Sequence, residues 1–180
     1  KGVAEFADAI RRLYAREGPE FRVSIAGDGP MSEQMRALTA EYEFVEYYGY
    51  VSESRKYELL TEGSIYVLPT YAEGLPISLL EGMAGGNAVV STAVGAIPEV
   101  VGAENGMLIS PVEVDALVDA LDTLRTDDQL RRAMGETNRE LVREQYTWSR
   151  ISRELQELYE RLRSRSQPGA GRTGGSPSAG

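Results

Sequence analysis

The amino-acid sequence predicts an α/β protein, a parallel sheet covered by helices on both faces. Between residues 3 and 110, segments with helical spacing of apolar residues alternate with short β-rich runs joined by short links. That is the pattern of strands connected by helical crossovers. Two of the runs, Ser64 to Leu68 and Ala88-Val89-Val90-Ser91-Thr92, are apolar without clean alternation, as strands buried on both faces are. With 180 residues, 42% of them apolar, the chain is long enough for one well-buried core and too short for two ordinary domains.

Val3, Phe6, Ile10, Leu13 and Tyr14 recur at helical spacing, and Gly18-Pro19 closes that helix before the β-rich run Phe21 to Ala26. The alternation then repeats: helix around 31 to 41, strand around 44 to 50, helix around 53 to 62, strand 65 to 69, helix 77 to 85, strand 88 to 92. Gly106 to Ser110 is the last strand, and only helices are expected beyond it. One apolar stripe falls on Val114, Leu117, Val118, Leu121 and Leu124, another on Ile151, Leu155, Leu158, Tyr159 and Leu162. Tyr146 and Trp148 are expected to pin the start of the last helix. From Ser164 on, Gly, Ser and Pro leave no apolar face to bury, so residues 164–180 are expected to form a disordered tail after a domain spanning 1–163. There is no internal repeat.

Composition narrows the chemistry. Without cysteine there are no disulfides, thiolate metal sites or cysteine nucleophiles, and without histidine the commonest general base and metal ligand is missing. A net charge of −9, from 19 basic and 28 acidic residues, argues against a nucleic-acid or anionic-membrane surface. The only lysines are Lys1 and Lys56. No run approaches the ~20 apolar residues of a membrane span. A cytoplasmic protein is expected, with peripheral membrane attachment as the alternative. The chain starts without methionine in a helix-like segment and is read as a fragment of a longer protein.

The most informative segment runs from Ile65 to Ala84, where a strand pattern turns into a helix pattern with Glu73 and Glu81 eight positions apart. Pro76 separates them, which puts Glu73 in the loop, where Gly74-Leu75-Pro76 lets a ligand approach the backbone. Free N–H groups at the following helix start would face phosphates. Ser78-Leu79-Leu80-Glu81 also fits a capping box, a purely structural use of Glu81. Gly27-Asp28-Gly29-Pro30 lies between strand and helix, where open α/β sheets bind ligands, but lacks the third glycine of a dinucleotide fingerprint and equally suits a tight turn. Gly95 to Glu99 is either a further ligand-side turn or a plain loop. Asp115, Asp119 and Asp122 share a helix face and read as solvated surface rather than a metal site.

Glu73-Gly74-Leu75-Pro76 with Glu81 resembles the E-x7-E motif of the family 4 retaining glycosyltransferases of GT-B fold. Lys1-Gly2-Val3, Ala26 to Pro30, Tyr48 to Val51, Val90 to Thr92, Gly95 to Glu99 and Asn105 to Leu108 resemble the C-terminal, nucleotide-sugar-binding half of that family in order and spacing, over residues 1 to 163. The resemblance implies a Rossmann-like donor domain lacking its N-terminal acceptor partner. It assigns Glu73 to donor-sugar hydroxyls, Glu81 to the ribose, and Lys1 to the diphosphate. The Gly74, Leu75 and Pro76 backbone and the helix start at Ile77, Ser78 and Leu79 would meet sugar and phosphates. Gly49, Tyr50 and Val51 would flank the base, near the turn at Gly27 and Gly29. It implies a nucleotide diphosphate sugar donor, a lipid or glycan acceptor, no metal and no other cofactor. Asn87 stands where the family often has proline, a departure expected to matter little, and an arginine usual before the lysine would lie upstream of Lys1. A non-catalytic nucleotide-sugar-binding module, or an epimerase or phosphorylase of the same architecture, remains the alternative.

Overall fold

Helix and strand alternate as the spacing predicts. The computed structural model describes residues 1–18, 21–111 and 113–165. The elements are α1 (Val3–Glu17), β1 (Val23–Ala26), α2 (Ser32–Glu41), β2 (Val45–Gly49), α3 (Glu53–Glu62), β3 (Ile65–Leu68), α4 (Ile77–Ala84), β4 (Ala88–Thr92), a single 3-10 turn (Ile97–Glu99), β5 (Gly106–Ile109), α5 (Val114–Thr126), α6 (Asp128–Gln145) and α7 (Trp148–Arg165). All strand pairs are parallel, but the ladder is interrupted: β1 pairs with β2, while β3, β4 and β5 form a separate three-stranded sheet. Every residue of β4 is buried, because it is central in its sheet and covered on both faces.

The chain divides into two compact units, Lys1–Glu144 and Gln145–Gly180. In the first, one core draws on both sheets and their helices, with Ile10 and Leu13 of α1, Leu38 of α2, Val45 of β2, Val90 of β4, and Val118 and Leu124 of α5 among its buried side chains. Phe21 and Phe44, just ahead of β1 and β2, pack with Tyr14 and Tyr42 as an aromatic cluster at the N-terminal ends of those strands. Helices α1 and α5 are cross-braced by Arg12–Asp115 (2.8 Å) and Arg16–Asp119 (3.1 Å), and Arg125 pairs with Asp122 (2.8 Å). The three aspartates read as solvated surface lie at the surface, where each also forms an ion pair with an arginine.

Asn87 carries a structural load that its sequence position did not suggest. Fully buried, it donates to the carbonyls of Leu60 (2.7 Å) and Gly82 (2.8 Å), near the ends of α3 and α4. Asn138 of α6, also buried, donates in turn to the carbonyls of Asn87 (2.8 Å) and Asn105 (2.7 Å). These bonds supply side-chain donors to backbone carbonyls around Asn87 and at the entries to β4 and β5.

In the second unit, α7 is amphipathic and tied along one face by Arg150–Glu154 (2.7 Å). Trp148 is 77% exposed, so it does not pin the helix start by burial, and Leu155, Leu158, Tyr159 and Leu162 are exposed as well. The helix runs to Arg165, two residues past the expected domain end, and residues 166–180 of the expected tail lie outside the described residues. Among the described residues, no helix is long and apolar enough to cross a membrane.

Candidate functional site

The loop that follows β3 is held from several sides. The Gly2 amide donates to the Pro69 carbonyl (2.7 Å), which brings the start of α1 onto the end of β3. Thr70, buried, donates its amide to the Thr92 hydroxyl (3.1 Å), and that hydroxyl donates to the Thr70 carbonyl (2.6 Å), locking the ends of β3 and β4 together. The Tyr71 hydroxyl bonds to Glu5 of α1. The Ala96 amide donates to the Gly74 carbonyl (3.1 Å). Gly95, at φ +55°, passes so close that a methyl group there would lie 2.0 Å from the Glu73 carbonyl oxygen. The Gly95 turn is thus the rear wall of the Glu73 loop rather than a plain connection.

This scaffold sets Glu73 against Lys1, with which it forms an ion pair, and places the Thr70 hydroxyl 3.4 Å from its carboxylate. The Glu73 side chain is 18% exposed. Partial burial lowers the Lys1 ammonium from its ordinary value, while the carboxylate opposite favours the charged form. Two residues 72 positions apart, expected to act on adjoining parts of one ligand, are in direct contact.

Pro76 occupies the N-cap of α4, and no side chain caps the helix. The capping-box use of Ser78 and Glu81 is therefore absent. Ser78 instead stands within hydrogen-bonding reach of the Tyr66 phenol, whose pKa burial pushes up. At this helix start the Leu79 amide donates to Pro76 (3.1 Å), and the Leu79 side chain is buried in the core. The amides of Ile77 and Ser78 have no acceptor within the helix, the arrangement that favours an anion. Glu81, 17% exposed, pairs with Lys56 of α3 at 2.8 Å. Lys56 also reaches Glu53 at 2.9 Å, and the two carboxylates, Glu81 first, raise its pKa. This bridge joins α3, which follows β2, to α4, which follows β3.

The turn Gly27 to Pro30 satisfies most of its own groups. The Gly27 amide donates to the Gly49 carbonyl (2.7 Å), so the ends of β1 and β2 meet, and the Gly29 amide donates to the Asp28 carboxylate (2.9 Å). The Ser32 hydroxyl donates to Asp28 (2.6 Å) and, with the Gly29 amide, lowers its pKa. Beyond Gly49, Tyr50 is 86% exposed and Val51 half-buried, ahead of the Ser52 cap of α3. Among the described residues, no group of acidic side chains is arranged to hold a metal ion.

Sequence reasoning did not single out Lys56, Thr70 or Thr92. Lys56 left one signal, being one of only two lysines. Thr70 left none, lying just past β3, and Thr92 entered only as the last residue of the segment Val90 to Thr92, at the end of β4.

Comparison with known proteins agrees with this architecture. Residues 1–141 match the family described as glycosyl transferases group 1. The phosphatidylinositol N-acetylglucosaminyltransferase gpi3 subunit of Schizosaccharomyces pombe is 32% identical over 165 residues, which cover 90% of this chain and 36% of that protein. A sucrose-phosphate synthase from Thermosynechococcus elongatus superposes with a TM-score of 0.78 at 25% identity, covering 92% of this chain and 43% of that one. The C-terminal domain of a group 1 glycosyl transferase, LpcC, from Francisella tularensis gives a TM-score of 0.71 at 26% identity, with 82% and 80% covered. The chain spans less than half the length of the curated relatives it matches. It belongs to the glycosyl transferases group 1 family, with the Rossmann-like fold of the C-terminal half of a GT-B transferase.

Proposed function

We propose that this chain binds the nucleotide diphosphate sugar of a retaining hexosyltransferase, and that a lipid or glycan acceptor is held by a further domain outside these residues. The observation that carries the reading is the pairing of Lys1 with Glu73 beside a helix start that no side chain among the described residues caps, with Glu81 in the second turn of the same helix. Each group suits one part of the donor. A carboxylate accepts bonds from vicinal hydroxyls, which suits Glu81 for the ribose and Glu73 for the hexose. The Ile77 and Ser78 amides and the Lys1 ammonium suit the diphosphate. Tyr50 and Val51, with Gly49, would border the base, and the turn at Gly27 and Gly29 shapes that edge through its bond to Gly49.

The reaction then needs little from this half beyond binding and charge stabilisation. The bond between the sugar C1 and the diphosphate oxygen breaks, and a bond forms from C1 to the acceptor oxygen on the same face. The acceptor proton passes to the departing diphosphate, whose growing charge Lys1 and the α4 amides stabilise. This route uses no metal and no histidine.

The test is a division of labour between the two glutamates in the protein that contains this chain. Glu81→Ala is expected to weaken binding of free nucleoside diphosphate by about ten- to a hundredfold with the fold kept, as loss of a hydrogen bond to a charged group does. Glu73→Ala is expected to leave that binding nearly intact and to reduce sugar transfer far more. Equal losses in both measurements for both variants would remove the assignment.

A further inference from the structure

Both lysines of the chain lie on the two glutamates of the site, Lys1 on Glu73 and Lys56 on Glu81. Lys56 is the fourth residue of α3, and its Nζ lies 2.8 Å from Glu81 Oε1 and 2.9 Å from Glu53 Oε2. Held by a carboxylate on each side and only 26% exposed, the ammonium is fixed rather than free to swing through solvent. It occupies one oxygen of Glu81. No hydrogen bond among the described residues engages the other, Oε2, so the pairing leaves one acceptor of this carboxylate available.

A carboxylate covered by a nucleoside loses water, and an ionised one needs a nearby positive charge to remain favourable there. The Tyr66 phenol, whose pKa burial pushes up and which Ser78 hydrogen-bonds, also feels the charges of Glu81 and Lys56. Lys56 is the cation in contact. Its second bond, to Glu53, anchors the pair to the start of α3, directly after the segment Gly49 to Val51.

We propose that Lys56 is a positioning residue for the donor nucleotide: by bridging Glu53 and Glu81, it holds the Glu81 carboxylate in the orientation in which Oε2 receives the ribose hydroxyls. The inference rests on the reading of Glu81 as the ribose ligand.

The test uses ribose preference, which a purely stabilising surface bridge does not move. UDP, GDP and ADP are titrated calorimetrically against the protein that contains this chain, and the tightest is paired with its 2′,3′-dideoxy counterpart. The wild type is expected to prefer the ribonucleotide by about tenfold or more. Lys56→Met is expected to weaken binding of the ribonucleotide by about tenfold and to cut the preference below about threefold, while Lys56→Arg, which keeps the charge, retains it. Should Lys56→Met fail to fold, Glu53→Gln carries the same test by removing the outer anchor, with a preference lowered by about threefold. Wild-type preference in the Met variant, or tighter binding by it, overturns the role of Lys56 and leaves the Glu81 assignment standing. Absence of any ribose preference in the wild type overturns the Glu81 assignment itself and the Lys56 role with it.

Discussion

At Gly95 the backbone adopts a left-handed conformation and lies against the Glu73 carbonyl, so a side chain there meets main chain and not a yielding side-chain tip. Gly95→Ala is expected to destabilise the fold by about 1–3 kcal/mol through the unfavourable φ. It should also displace the Glu73 loop, so donor-sugar affinity falls more than affinity for the bare nucleoside diphosphate, as paired titrations would show. A uniform loss, or none, would mean that the loop finds its position without this wall. Residues of this kind divide sharply in how readable they are. Glu73 and Glu81 stand out because Pro76 breaks the chain between them and a short local pattern holds both. Lys56 and Thr92 do not, because their partners lie 25 and 22 residues away, and such contacts exist only once the strands are placed.

Helices and strands were readable through their periodicity, and each expected element through β5 is present near its expected bounds. What periodicity could not supply was the gap in the ladder between the two sheets, since parallel pairing is set by partners that never adjoin in sequence. Nor did it reveal how α6 is fastened. Much of α6 is polar, and its attachment to β4 and β5 runs through the buried amide of Asn138, which a hydropathy pattern scores as a surface residue. Asn138→Ala leaves the Asn87 and Asn105 carbonyls buried without that donor. A loss of about 2–4 kcal/mol is expected in denaturant titration, with nucleoside diphosphate binding kept at temperatures where the protein is folded. A loss under about 1 kcal/mol would show that water replaces the side chain there.

On the scale of the whole molecule, the chain accounts for less than half of its curated relatives and its site residues are assigned to a donor alone. Transfer requires donor and acceptor held in register. The 180-residue chain by itself is therefore expected to bind nucleoside diphosphate weakly and to release none from a nucleotide sugar, whatever acceptor is added. Turnover by the isolated chain would show that the acceptor site is already within it. The self-pairing of the site has a kinetic side as well. Lys1 is matched by Glu73, Lys56 by Glu81 and Glu53, and the chain around them carries a net charge of −9. On the proposed reading, a diphosphate approaching this chain from solution meets a net negative charge, a repulsion that salt screens beyond about 10 Å at 0.1 M. Capture by this chain would then be a matter of short-range fit, and moderate salt is expected to quicken the encounter where a basic phosphate site would be slowed by it.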